Sequence, residues 1–417
     1  MRSAARLWIT RTMLSPAQID VSDPDLWARR ETAPLLAQLR ADDPVHYCAD
    51  SAYGPYWSIT RYEDILDVET RHEEFSSASE HGGVVIHDAL TQKWSGHTLE
   101  GLISMDPPRH SEQRGATSGI VSRPNLAHFE TVIRKRTAAL LDTLPVGELF
   151  DWVSRVSVEL TTQMLASLFD FPFEDRAKLT RWSNVATSEP GLGVVATEEE
   201  RIREIKQCMF AFAKLRRERA HGGDAHDLVS MLATHPATAA LNPMNFLGNI
   251  LVLIVGGNDT TRNSMSGAVL AFDEFPDELE RIREDSGLIE NAVAEIIRWQ
   301  TPIAHMRRTA LCDADVAGKR IKKGDKVVMW YASGNRDEAV FENADAFDVT
   351  RENARRHVSF GFGIHRCMGK RLAELQLRIL LEEMLPRWNR VELMGAPTTV
   401  RSNFVHGFDA LPVRIVR

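Results

Sequence analysis

Apolar positions along this chain recur mostly at helical spacing, with short alternating stretches between them. Asp23-Pro24 reads as the start of a helix through Leu39, since Pro24 suits a first turn. Val45–Cys48 and Tyr53–Thr60 read as an antiparallel hairpin rich in aromatic side chains, and Thr60 as the N-cap of the next helix. Residues 127–235 are mostly amphipathic helix, broken near Leu144–Gly147 and Ser188–Gly193. Asn242-Pro243 then caps a helix that runs to about Phe275, roughly 50 Å at 1.5 Å per residue. Leu247 and Ile250–Val255 leave it almost no polar face, so its first half should be buried. Pro302 ends a later helix, and extended segments follow: Ile303–Ala310, Val327–Trp330 and parts of Arg401–Arg417. The pattern predicts a mainly α fold with smaller β regions.

Composition narrows the class. The chain has 417 residues, 43% hydrophobic and 26% charged, as in a soluble globular protein of one large domain or two ordinary ones. A net charge of −8 gives no support for nucleic-acid binding, which needs concentrated positive charge. Cys48, Cys208, Cys312 and Cys367 are far apart with no C-x-x-C pair, which argues against a zinc site or a disulfide framework and for a reducing cytoplasm. Residues 1–20 read as a flexible lead-in, with no apolar run long enough for a membrane span.

Candidate chemistry concentrates at two places. In Phe360–Gly369 a lone cysteine, Cys367, sits among Gly361, Gly363 and Gly369, and a helix former starts at Lys370. Glycines let the backbone turn tightly and leave N–H groups free to point at the sulfur, while the helix dipole points the same way. Both favour a thiolate, which suits an axial ligand of haem iron. The second place is the middle of the long helix, Gly256-Gly257-Asn258-Asp259-Thr260. Each glycine there costs on the order of 1 kcal/mol against alanine. A carboxylate and a hydroxyl beside them make sense if the helix opens to admit a ligand and protons. His110 and Arg114 share one helix face. The 76–104 stretch, with Val84, Val85 and Ile86, reads as a substrate lid.

The pattern Phe-x-x-Gly-x-His-x-Cys-x-Gly, here Phe360, Gly363, His365, Cys367 and Gly369, resembles the haem-binding signature of the cytochromes P450. That resemblance implies a single P450 domain over residues 1–417, with haem b (iron protoporphyrin IX) between the long central helix and the cysteine loop. It assigns Cys367 to the iron and His110, Arg114, His365 and an arginine after Pro302 to the haem propionates. Arg308 fits that arginine by its spacing to Asp313, with Arg307 the alternative. Asp259 and Thr260 become the acid–alcohol pair of oxygen activation, Thr260 holding a water and Asp259 relaying protons. Gly256 stands where many family members have alanine, which leaves more room near the iron. Glu295 and Arg298 become a buried structural pair linked to the segment around Asn335-Arg336-Asp337.

A closer resemblance covers much of the second half. Leu253–Met265, Arg298–Pro302, His305–Ala310 and Val400–Phe404 are similar to the soluble bacterial alkane and fatty-acid terminal hydroxylases. This implies hydroxylation at a terminal methyl with O2 and NAD(P)H-derived electrons from a ferredoxin reductase and a 2Fe–2S ferredoxin. Arg366, Lys370 and Arg371 offer that ferredoxin a basic patch. Val84, Val85, Ile86, Val252, Val255, Ile303, Met306, Phe404 and Val405 are the residues expected to form a narrow aliphatic tube. The alternatives are a P450 acting on a terpene or sterol side chain and a non-catalytic haem-thiolate sensor, which has no need of Asp259-Thr260.

Overall fold

A computed structural model describes residues 15–87, 100–188, 190–191, 193–220 and 227–417. Most of the expected lead-in and the middle of the expected lid lie outside those residues. Helices α1 (Pro24–Ala28), α2 (Thr32–Asp42) and α3 (Tyr62–Thr70) alternate with strands β1 (Val45–Cys48), β2 (Tyr56–Ile59) and β3 (Phe75–Ser76). A helical block follows, made of α4 (Arg109–Thr117), α5 (Arg123–Leu141), α6 (Val158–Leu168), α7 (Ala177–Thr187), α8 (Glu198–Arg219) and α9 (Leu228–Thr234), with β4 (Leu149–Asp151) inserted. The long α10 (Pro243–Glu274) leads to α11 (Pro276–Glu284) and α12 (Ile289–Gln300). Next come β5 (Met306–Ala310), β6 (Ala314–Val316), β7 (Lys319–Ile321), β8 (Lys326–Met329) and α13 (Tyr331–Gly334). The chain finishes with α14 (Lys370–Met384) and β9 (Arg390–Leu393), β10 (Thr398–Thr399), β11 (Phe408–Ala410) and β12 (Pro412–Val416). The largest sheet has the order β1-β2-β8-β5-β3, with β2 and β8 parallel and the other pairs antiparallel.

The central helix forms where the sequence expects it. Asn242 accepts a hydrogen bond from the Asn245 N–H at 2.9 Å, and Pro243 opens the first turn. Burial along α10 is less simple than its apolar run suggests. Phe246, Leu247, Ile250, Leu251 and Ile254 are buried, but Val252, Leu253 and Val255 are half-open and Gly256 is exposed. The more polar second half is the more deeply buried. Its polar side chains find partners there: Ser266 meets Ser157 at 2.9 Å, and Asn263 accepts from the Phe408 N–H at 3.2 Å.

Two N-terminal expectations need correction. The single helix through Leu39 is two helices, separated by Arg30 in a left-handed conformation. The break lets Trp27 stack on Trp330 while Leu35, Leu36 and Leu39 reach the same core. Thr60 is not an N-cap: its hydroxyl donates to the Pro44 carbonyl at 3.0 Å, and the first N–H of α3, at Tyr62, goes to Asp337 at 2.8 Å.

Behind the cysteine loop, Glu295 and Arg298 are fully buried and joined by two bonds of 2.7 Å. Arg298 also donates to the carbonyls of Asn335, Ala344 and Ala346 at 2.8–2.9 Å. Arg351, which nothing in the sequence singled out, adds a contact to Glu295 at 3.2 Å. The pair therefore ties α12 to the segment that carries the cysteine loop. Arg298→Ala leaves a buried carboxylate and three carbonyls short of donors, and should lower the unfolding free energy in urea by about 3–5 kcal/mol.

Two buried imidazoles set an acid limit. Burial pushes His305 down to about 3 and His406 down to about 4. An unfolded imidazole protonates near 6.5, so below that pH the unfolded chain binds more protons. Stability should fall as pH drops from about 6.5 toward 4, by up to ~1.4 kcal/mol per pH unit for each group. Urea titrations across this range check the slope, and His406→Gln should flatten it.

Candidate active site

The cysteine loop is held from both ends. The Cys367 N–H donates to the Phe360 carbonyl at 2.8 Å. Gly363 has φ +61°, and a Cβ there would stand 2.2 Å from the Glu69 carbonyl at the end of α3. A glycine is therefore required for the loop to lie on α3. Cys367 is accessible, yet burial is the main influence on its thiol, so it opens onto an interior slot and not onto free surface. Burial pushes the thiol up, while the Gly369 N–H, Arg114 and the Lys370 N–H pull it down. The contacts expected to favour a thiolate are therefore present, and desolvation opposes them.

Beside the slot lies a basic cluster. The His110 and His365 rings are 4.2 Å apart, and none of their four nitrogens has a hydrogen-bond partner. His110 is only 2% exposed. Burial pushes His110 down to about 4, helped by Arg114, and His365 down to about 2, helped by Arg308, His110 and Arg114. Arg308 is thus the arginine of β5 that faces this cluster. It donates to Glu69 at 2.6 Å, and the Tyr331 hydroxyl donates to the same carboxylate. Arg307 turns the other way, toward the carbonyls of His81 and His87. Sequence reading missed Glu69 and His72, the latter close enough to depress both histidines. Neither carries a motif; both follow from where α3 ends.

On α10 the Gly256–Thr260 turn stays helical. Space at Gly256 is open, with nothing within 4 Å of a Cβ built there, whereas Gly257 packs closely on Leu165 of α6. The Thr260 hydroxyl donates to the Gly256 carbonyl at 2.8 Å. Asp259 is buried and faces away from it, with Arg262 at 2.7 Å, Asn258 at 3.0 Å and Ser183 at 3.2 Å. Burial raises the Asp259 carboxyl and Arg262 opposes that shift. The acid and the alcohol are adjacent in sequence but held in separate hydrogen-bond systems.

The apolar candidates divide. Val85, Val252, Val255 and Phe404 are half-open, and Val84, Ile303 and Val405 are mostly covered. Met306 leans on the core of the large sheet. Ile86 is fully buried with Trp27, Tyr56, Val328 and Trp330, so it belongs to the core and not to a tube wall. Its neighbour Val85 stays half-open.

An accessible thiol, open space at Gly256 and two histidines with four unpaired ring nitrogens beside Arg114 and Arg308 suit a flat, iron-centred dianion. Haem fits those requirements. The family model described as Cytochrome P450 matches residues 196–402. The linalool 8-monooxygenase of Pseudomonas putida is 36% identical over 408 residues, covering 95% of this chain and 98% of that protein. The chain belongs to the cytochromes P450. Two solved P450 structures are similar throughout: cytochrome P450-153 from Novosphingobium aromaticivorans, with a TM-score of 0.88, and CYP153D17 from Sphingomonas sp. PAMC 26605, with 0.89. Each is 46% identical and covers 95% of this P450 and 99% of the other chain. As a P450 it uses haem b, O2 and NAD(P)H-derived electrons delivered by redox partners. Gly363→Ala should break the seat of the loop on α3. The measurement is haem absorbance per protein after purification, expected to fall several-fold.

Proposed function

We propose that this P450 hydroxylates the terminal methyl of medium- to long-chain alkanes or fatty acids, with electrons from a 2Fe–2S ferredoxin and its reductase. One observation carries the reading. Three of the four segments with apolar candidates are bonded to one another through their main chains. The Arg307 N–H donates to the Val84 carbonyl at 2.8 Å, the Ala304 N–H donates to the Phe404 carbonyl at 2.9 Å, and Ile303 bridges Val405. Walls tied in this way favour a pocket that presents one end of a flexible chain. Orientation of that kind is what attack on the stronger methyl C–H bond needs. The resemblance of Leu253–Met265, His305–Ala310 and Val400–Phe404 to terminal hydroxylases supports the same substrate class.

The residues then take these roles. Cys367 ligates the iron, with Phe360 and Gly369 shaping its loop, and His110, Arg114, Arg308 and His365 hold the propionates. When bound, a thiolate-ligated haem activates dioxygen for insertion into a C–H bond. Thr260 holds a water beside Gly256. Asp259 takes up a proton on the α7 side and passes it on after loosening from Arg262. Arg366 and Arg371 are exposed next to Cys367 and attract an acidic ferredoxin. Among the described residues no helix is long and apolar enough to cross a membrane. We place the protein in the cytoplasm as a single P450 domain.

The second reading, a terpene or sterol side chain, is favoured by the 36% identity to a linalool 8-monooxygenase. Titrating aliphatic compounds of graded length against the loaded protein separates the two. The proposal expects displacement of iron-bound water with an optimum length and a terminal alcohol as product. A response to terpenes or sterols alone would refute it. Thr260→Ala should lower product formed per NAD(P)H by about tenfold or more. Unchanged coupling would remove Thr260 from oxygen activation.

A further inference from the structure

His305 sits where the lid, the lead into β5 and the C-terminal turn meet. It is fully buried, with its ring 4.9 Å from Trp330 and 5.5 Å from Phe404. The Ile86 N–H points at its Nε2 from 3.2 Å, and the Asn403 carbonyl faces its Nδ1 at 3.0 Å. A backbone N–H can only donate and a carbonyl can only accept. The ring must therefore carry its proton on Nδ1 and leave Nε2 as the acceptor, which is a neutral imidazole satisfied at both ends. Asn403 is fixed from its other side, its amide donating to the Ser22 carbonyl at 2.6 Å. Neighbouring residues fasten the rest of the lid. Thr309 donates to the His81 carbonyl at 2.6 Å, and Gly82, at φ +108°, lies so close to Arg307 that a Cβ would overlap the guanidinium.

We propose that His305 is a specificity-determining positioning residue. Its two hydrogen bonds set the distance between the lid at Val84–Val85 and the C-terminal turn at Phe404, and so the bore of the substrate pocket. This rests on the reading that both segments line the pocket. The reason for histidine is geometric: one rigid ring accepts from one segment and donates to another across its width. Phenylalanine keeps the stacking and loses both bonds. Glutamine can reach Ile86 with an acceptor, whereas the shorter asparagine can reach only the Asn403 carbonyl.

The test compares His305→Phe, His305→Gln and His305→Asn as haem-loaded proteins. Hydrogen exchange at the Ile86 amide is read without substrate, so it does not depend on which compound is turned over. The ratio of terminal to internal hydroxylation is read with whichever compound displaces the iron-bound water. Phe and Asn should speed Ile86 exchange by about tenfold or more and lower the terminal fraction, while Gln stays near the original protein in both. Should Phe fail to fold, the Asn–Gln contrast carries the same decision. Equal exchange in Asn and Gln overturns the clamp. Faster exchange with an unchanged product ratio overturns its role in specificity. A clamp that behaves as expected with a terpene in place of an aliphatic chain refutes the substrate proposal and leaves His305 in place.

Discussion

Four ring nitrogens without partners are the constraint around which this structure is arranged. His110 and His365 face each other at 4.2 Å, close to Arg114, Arg308 and His72, in a region sealed by α3, α4 and the cysteine loop. Buried polar atoms are nearly always satisfied, and a cluster of basic groups left open costs several kcal/mol unless an anion enters it. Glu69 answers part of the charge through Arg308 and is itself held by Tyr331. The unpaired ring nitrogens and Arg114 suit an anionic ligand. The propionates of a haem are such groups, and Cys367 stands on the same loop as His365.

The same demand explains why the central helix alternates between core and cavity. Gly257 touches Leu165, and further along α10 Gly267 lies so close to Gln300 that a Cβ there would stand 2.4 Å from the amide oxygen; both serve packing. Gly256 faces open space. The helix stays continuous through this turn, with Thr260 bonding back to the Gly256 carbonyl. Asp259, pinned between Arg262 and Ser183, is similarly poised on the far side of the helix from the slot.

Much of the site was legible in the sequence because it breaks local rules. Gly256 in the long helix and a cysteine among glycines have no packing rationale, so they stand out against the expected pattern. What could not be read depends on partners far away in the chain. Arg307 and Arg308 are neighbours on a strand and point to opposite faces, and only partners far away in sequence show that Arg308 turns toward Glu69 and the histidine pair. Glu69, His72, Arg262 and Arg351 carry no local signal, since each acts through residues on other elements or another turn. Ile86 looked like pocket lining because it is apolar and in a loop, but it packs in the core with Trp27 and Trp330. Helix boundaries near Arg30 and Thr60 failed for the same reason: tertiary contacts by Trp27 and Asp337 overrode local propensity.

A crystal structure of the haem-loaded protein tests the central claim most directly. The account predicts nitrogens of His110, Arg114, Arg308 and His365 within hydrogen-bond distance of the propionate oxygens, with the Cys367 sulfur on the iron. Propionates bound to other groups, with the His110 and His365 nitrogens still unpaired, would contradict it.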